Sequence, residues 1–239
     1  MAKSLREWID TDVGRVKSAS MRWLSECHFF RDPMRPLFID ASYFFAPADG
    51  VILYQKVVDP DEAVVDVKGV SYSLRDALRE PSFDRRSLVV GIFMTVYDVH
   101  VNRIPLAGRL TYKEHEPIRT HNAPMLEVEK TLLDELRVPA QGLEYLHNNQ
   151  RMVNRIWAPD IGQHYYLLQV ADYDIDCILP FDRKQYRYFA QNERFSQIRY
   201  GSQVDLVVPL SPRIELSPLV EVGMHVEAGV DRIVRIVRH

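Results

Sequence analysis

Asn192-Glu193-Arg194-Phe195-Ser196-Gln197-Ile198-Arg199-Tyr200-Gly201-Ser202-Gln203-Val204-Asp205-Leu206-Val207-Val208-Pro209 is the stretch on which the reading of this chain turns. Two segments within it, Phe195 to Tyr200 and Val204 to Val208, have the β-branched and aromatic content of strands. A Gly-Ser pair separates them. Glycine in a strand pattern marks a bend or a close backbone approach, and serine beside it suits a polar turn. Outward from this centre, Ser87 to Tyr97 reads as a buried strand that delivers Asp98 and His100 at its end. Val51 to Val58, Tyr165 to Val170, Ile175 to Leu179, Leu216 to Val226 and Arg232 to Val237 read as further strands. Helical spacing covers residues 3–27 and Pro124 to Leu136, and Ser73 is placed to cap a short helix, Leu74 to Leu78. The expected fold is α+β, predominantly antiparallel β, with an N-terminal amphipathic helix.

A chain of 239 residues with 46% hydrophobic content can bury a substantial core, and a single main domain is expected. The net charge of -3 gives no whole-molecule attraction to nucleic acid. Cys27 and Cys177 match no zinc or redox spacing and read as reduced thiols. The eight histidines are scattered, so no metal site is expected. No apolar run approaches the roughly 20 residues of a membrane span. The expected location is the cytoplasm, either free or peripheral on the inner face of the membrane. Residues 1–28 hold Trp8 and Trp23 with Lys3, Arg6, Arg15, Lys17 and Arg22. Such a helix can pack on its own domain or lie in a bilayer interface.

Four other segments keep company with the Gly-Ser stretch: Phe29-Phe30-Arg31-Asp32-Pro33, Ala46-Pro47-Ala48-Asp49-Gly50, Lys68-Gly69-Val70-Ser71-Tyr72-Ser73-Leu74 and Asp98-Val99-His100-Val101-Asn102-Arg103-Ile104-Pro105. In that order and at those separations they resemble the phosphatidylserine decarboxylase family, in particular its short bacterial and archaeal form. The resemblance runs from about Phe29 to the C-terminus and implies a decarboxylase domain over 29–239. It also implies that the chain cuts itself between Gly201 and Ser202, and that Ser202 becomes a pyruvoyl group. That group is the ketone electron sink that decarboxylation of an amine needs.

By the same resemblance His100 is the base for the cut, and Asp49 orients it and stabilises its charged form. Alone, a turn aspartate reads as a backbone cap and a single histidine after a strand as a structural residue. Lys68, Tyr72, Asn102 and Arg103 are the candidate substrate-binding residues. His100-Val101-Asn102-Arg103 has one histidine where longer family members carry two. The family implies phosphatidylserine as substrate and a homodimer. A related carboxylated amine is the second substrate reading, because Asp172, Asp174 and Asp176 stand where glycine and basic residues are expected. A member that never cuts, serving as a binding or scaffold protein, is the rival of another class. Val222 to Gly229 also looks like the hairpins of biotinyl or lipoyl carrier domains, but residues 202–239 contain no lysine to carry such a group.

Overall fold

Side chains alternate across a strand, so a strand that is apolar at nearly every position must be covered on both faces. All eight residues of Ser87–Met94 and all eight of Ser202–Pro209 are buried. The computed structural model describes residues 2–36, 38–173, 176–199 and 201–239. It places these two strands side by side near the middle of a nine-stranded antiparallel sheet. The strand order is Lys3–Ser4, Met224–Val226, Gly50–Val58, Ser87–Met94, Ser202–Pro209, Gln163–Ala171, Arg151–Ala158, Gly108–His115 and Arg187–Phe189. Val204, Leu206 and Val208 join Val90, Ile92 and Leu167 in the core of one face, whereas Val207 joins Val89, Phe93 and Leu168 in the core of the other.

Among the described residues, two three-stranded sheets and a two-stranded hairpin, Val65–Val67 with Val70–Tyr72, complete the β structure. One three-stranded sheet pairs Ile178–Pro180 and Val101–Arg103 on either side of Arg194–Ile198. The other pairs Ile214–Pro218 and Tyr43–Phe45 on either side of Arg232–Arg238. The α+β, mainly antiparallel expectation is met. Gly50 shows how tightly the strands approach: a Cβ there would lie 2.1 Å from the Phe93 carbonyl oxygen, so only glycine fits and Asp49 is fixed at the strand's entrance.

Several sequence expectations change in detail. The continuous helix over 3–27 is two pieces. Lys3–Ser4 pairs with Met224–His225 as a sheet edge, and helical turns, wider than α over Ile9–Val13, run from Leu5 to Val16. A second piece runs from Met21 to His28. The break follows from serine chemistry: Ser4 and Ser20 each accept a hydrogen bond from the backbone N–H three residues on, at 3.2 Å, as N-caps. The first piece packs on the domain, with Trp8 buried and stacked on His225 at 4.6 Å between centroids. Met21 and Trp23 of the second are exposed.

The expected strand Leu216 to Val226 is interrupted after Pro218, and its two halves pair in different sheets. The polar segment around Gln141 to Arg155 contains a short helix, Tyr145–Asn148, and most of the strand Arg151–Ala158. Its polarity hid a buried element because Arg151 is satisfied internally, donating to the Tyr72 hydroxyl and to the carbonyls of Ala77 and Leu146. Tyr200, at the end of the first predicted strand, and Ile175, at the start of another, lie outside the described residues. Helix Leu74–Leu78 is as expected, with a reciprocal Ser73–Asp76 capping box.

The two halves of the N-terminal segment should respond differently to truncation. Trp8→Ala should cost about 3–5 kcal/mol, as for other buried tryptophans, and Trp23→Ala no more than about 0.5 kcal/mol. Urea unfolding of the two variants checks this, and equal losses would contradict the packing.

Candidate active site

Ser202 opens the central strand, paired with Met94 on one side and Ala171 on the other. Its side chain is fully buried on the same face as Val204, and its Oγ lies 3.2 Å from Met94 Sδ. Asn102 reaches the same sulfur with Nδ2 at 3.7 Å. The Asn102 Oδ1 accepts from Gln169 Nε2 at 2.7 Å, and that amide also donates to Ser196 Oγ at 2.9 Å. A buried polar layer therefore sits under the Gly-Ser bond, and it includes Asn102.

Gly201 is held from the other side by an acid. A Cβ at this position would lie 2.5 Å from Asp172 Oδ2, so the carboxylate packs directly over the glycine. Asp172 is itself fixed, because its Oδ1 accepts the Met125 N–H at 2.8 Å. Nearby, Glu129 accepts the Val96 N–H at 2.9 Å. Burial pushes the Glu129 carboxyl up to about 7 against that hydrogen bond, and the charges of Asp172 and Asp98 add to the rise.

His100 is fully buried, with its ring 4.1 Å from that of Phe29. Its Nδ1 lies 3.1 Å from the Asp98 carbonyl oxygen. A carbonyl only accepts, so Nδ1 carries the proton and Nε2 presents its lone pair. Among the described residues Nε2 has no hydrogen-bond partner. Burial lowers the imidazole to about 4, Asp98 opposes this, and the Arg31 charge reinforces it. The histidine is thus an uncharged base in a dry setting.

Asp49 sits differently from expectation. Both its oxygens are taken by Arg35 at 2.6 Å, and Oδ1 also accepts the Ala228 N–H at 2.8 Å. The group that orients His100 is the Asp98 main chain, and Asp49 contributes only a weak field. A second His-Asp pair, unread in the sequence, joins His225 Nε2 to Asp98 Oδ1 at 2.7 Å. Burial acts to raise the Asp98 carboxyl, but His225 and the N–H and hydroxyl of Thr95 outweigh it and hold the group below the usual carboxylate range.

The other predicted residues are dispersed. Arg103 donates to the Asn192 carbonyl at 3.1 Å and pairs with Asp32 at 3.4 Å, an anchor for the Phe29 to Pro33 segment. Tyr72 is buried in the core of the opposite sheet face from Ser202, where burial pushes its hydroxyl up to about 12. Lys68 pairs with Glu144 at the rim of a cavity of about 550 Å³ that also touches Tyr173. Asp176 is exposed and donates its N–H to Gln150 Oε1 at 2.8 Å, and Asp174 lies outside the described residues. Among the described residues no group of three or more histidines, cysteines or acids could hold a metal ion.

The Gly-Ser bond is thus buried at the head of a central strand, and His100 lies between the neighbouring strand Ser87–Met94 and Val101–Arg103. The family model for phosphatidylserine decarboxylase matches residues 26–233. The chain belongs to the phosphatidylserine decarboxylase family. Among similar proteins, the phosphatidylserine decarboxylase proenzyme of Gluconacetobacter diazotrophicus is 32% identical over 183 residues, 76% of this chain and 65% of that protein. That of Erythrobacter litoralis is 29% identical over 182 residues, 76% of this chain and 62% of the relative. That of Cupriavidus pinatubonensis is 31% identical over 186 residues, 77% and 68% of the two chains. The matched part of this decarboxylase-family chain therefore spans about two thirds of the length of these relatives.

The state of His100 is directly measurable. Nitrogen NMR should find it as the neutral Nδ1–H tautomer from pH 8 down to about 5, with protonation only as the pH falls toward 4. The depressed value means that stability contributed by the neutral ring is complete above about 6.5 and is lost as the pH falls through the folded value. Titration of His100 near 6.5 would contradict the buried geometry.

Proposed function

We propose that this chain is a self-processing, pyruvoyl-dependent decarboxylase that removes carbon dioxide from the serine headgroup of phosphatidylserine. The observations that support this reading are the buried Gly201–Ser202 bond and, among the described residues, a buried His100 whose Nε2 has no hydrogen-bond partner. The relatives' description as phosphatidylserine decarboxylase proenzymes supports both substrate and processing.

The residues present fit a pyruvoyl group made from Ser202. Gly201 presents no side chain to obstruct attack on its carbonyl, and the site is dry. The Ser202 hydroxyl turns from Met94 Sδ toward His100, gives its proton to Nε2, and attacks the Gly201 carbonyl carbon. The peptide C–N bond then breaks, the nitrogen takes up a proton, and an ester joins residue 201 to Ser202 Oγ. Loss of the Ser202 α-proton expels the residue 201 carboxylate and leaves dehydroalanine, which tautomerises to an imine. Hydrolysis by one water releases ammonia and leaves the ketone. When present, that ketone supplies the electron sink for the departing carbon dioxide's bonding pair. Asn102, held by Gln169, fixes the floor of the site, and Asp49 acts through Arg35 and the Ala228 N–H to set the shape of the His100 side.

The second helical piece and the chain after it favour contact with a lipid surface. Met21, Trp23, Phe30, Met34, Phe38 and Ile39 are exposed apolar side chains within one short stretch, with Arg22 and Lys17 among them. Scattered apolar surface needs no explanation, but this concentration suits the interface of a bilayer. Among the described residues no helix is long and apolar enough to cross a membrane.

Release of carbon dioxide tests the reading. Wild-type protein should release it from phosphatidylserine vesicles and not from free serine, and Ser202→Ala should release none. Trp23→Ser should weaken co-sedimentation with the vesicles several-fold. Equal release by wild type and Ser202→Ala would overturn the assignment of the serine.

A further inference from the structure

Side chains alternate along a strand, so every second residue of two paired strands shares a face. Gly108–His115 and Arg151–Ala158 pair with His115 opposite Arg151, Lys113 opposite Val153 and Thr111 opposite Arg155. Lys113, His115, Arg151 and Arg155 therefore stand on one face, that of Val153 and Tyr166, and Ser202 belongs to the other with Val204. Arg79 reaches the same place from the end of helix Leu74–Leu78, where the chain turns through a left-handed conformation with φ 48°. Glycine is the usual residue at such a turn, so an arginine there is held at some conformational cost. Arg79, Lys113, His115 and Arg155 line a cavity of about 330 Å³, and Arg151 lies close enough behind it for its charge to act on Arg79 and His115.

The positive charge around this cavity is not balanced. Arg79 donates to the carbonyls of Glu116, Asn148 and Asn149, and Arg151 to the Tyr72 hydroxyl and the carbonyls of Ala77 and Leu146. All of these acceptors are neutral. Arg155 lies 3.4 Å from His164 Nδ1, another neutral group. No salt bridge among the described residues includes Arg79, Lys113, Arg151 or Arg155. The lining contains one acid, Glu80, whose Oε1 accepts from the Ser82 hydroxyl at 3.4 Å. A solvated basic face would leave its donors in water, but Arg79 Nε is buried and has no acceptor among the described residues. Burial and the Arg151 charge bring the Arg79 guanidinium down to about 10, with Tyr72 opposing. Burial and the charges of Lys113, Arg79 and Arg151 bring His115 down to about 4. Like charges gathered in a half-buried cavity repel one another, and an anion placed among them relieves that repulsion.

We infer that the cavity between Arg79, Lys113 and Arg155 is a binding site for a phosphate group, carried either by a phospholipid headgroup or by a soluble phosphate. The geometry suits phosphate because the cations approach from three elements, Arg79 from the helix end and Lys113 and Arg155 from adjacent strands. A tetrahedral anion offers oxygens in all of those directions. Guanidinium groups give paired donors that match phosphate oxygens, and the lysine adds a compact point charge. The site is on the sheet face away from Ser202, so it does not depend on cutting of the chain. A bound anion favours the charged form of His115, which then adds a further donor.

The experiment measures binding of inorganic phosphate to the full chain by calorimetry, with chloride at equal ionic strength as reference, and follows His115 by NMR. Phosphate should give a saturable heat that chloride does not, and should move the His115 titration up toward its ordinary value. Arg79→Gln and Lys113→Gln should each weaken phosphate binding about tenfold, the loss of one charge-assisted contact. Lys184→Gln removes the same charge from an exposed position outside the cavity and should leave binding unchanged. Lys113 is exposed, so its variant tests the site where Arg79→Gln fails to fold. Co-sedimentation with phosphatidylcholine vesicles containing phosphatidylglycerol separates the two sources. A lipid source predicts that Lys113→Gln weakens vesicle binding more than Lys184→Gln and that free phosphate competes. A soluble source predicts a phosphate heat that needs Lys113 and equal vesicle binding by the two variants. If phosphate gives no more heat than chloride, and the two variants bind vesicles equally, the inference is wrong.

Discussion

Exclusion of water from both faces of the central sheet is the constraint from which the other features follow. Ser202 begins a strand with no exposed residue, so each polar atom on it needs a partner inside the protein. On one face the partner of the Ser202 hydroxyl among the described residues is a thioether, a weak acceptor that leaves the hydroxyl easy to withdraw. On the other face Gln203 and Asp205 are tied into a closed network. Tyr54 and Gln203 donate to the Asp205 oxygens at 2.7 and 2.6 Å, and Tyr145 donates to Gln203 Oε1 at 2.5 Å. Burial still pushes Asp205 up to about 6 against these donors. One strand thus carries a firmly satisfied side and a loosely satisfied one, and Ser202 lies on the loose side.

The same dryness sets the charge states around the bond. His100 is kept neutral because a buried imidazolium would be costly, and Asp98 stays ionised because His225 and Thr95 hold it. Asp98 links both histidines, through its carbonyl to one and its carboxylate to the other. The N-terminal segment takes part in this arrangement, since Trp8 lies flat on His225. Packing of the first helical turns and the geometry of the histidine loop are therefore parts of one structure.

Much of the fold was legible because apolar content and strand burial coincide. Ser87–Met94 is a near-continuous apolar run and Ser202–Pro209 ends in one, Leu206 to Pro209, and both are central strands. Arg151–Ala158 was not read as a strand, since a buried arginine carries no local mark of the carbonyls and phenol that satisfy it. The helix break at Ser20 had a local sign, a serine able to cap, but helical spacing on either side masked it. At the site, the order of motifs singled out Ser202, His100 and Asp49 through the family resemblance. It could not show that Asp49 is engaged by Arg35, or that His225, about 130 residues downstream, meets Asp98. Both are long-range pairings between ordinary-looking residues. Asp172 stood out as a departure in sequence, and only the register of its strand with Ser202 revealed what it faces.

The account depends on the bond between residues 201 and 202 being breakable by the folded chain itself. Denaturing mass spectrometry of purified protein, held folded and sampled over time, addresses this most directly. The account predicts two products, residues 1–201 and 202–239, the smaller lacking a free amino terminus and carrying a carbonyl that reacts with hydroxylamine. A single species of full mass with no such carbonyl, from protein shown to be folded, would contradict it.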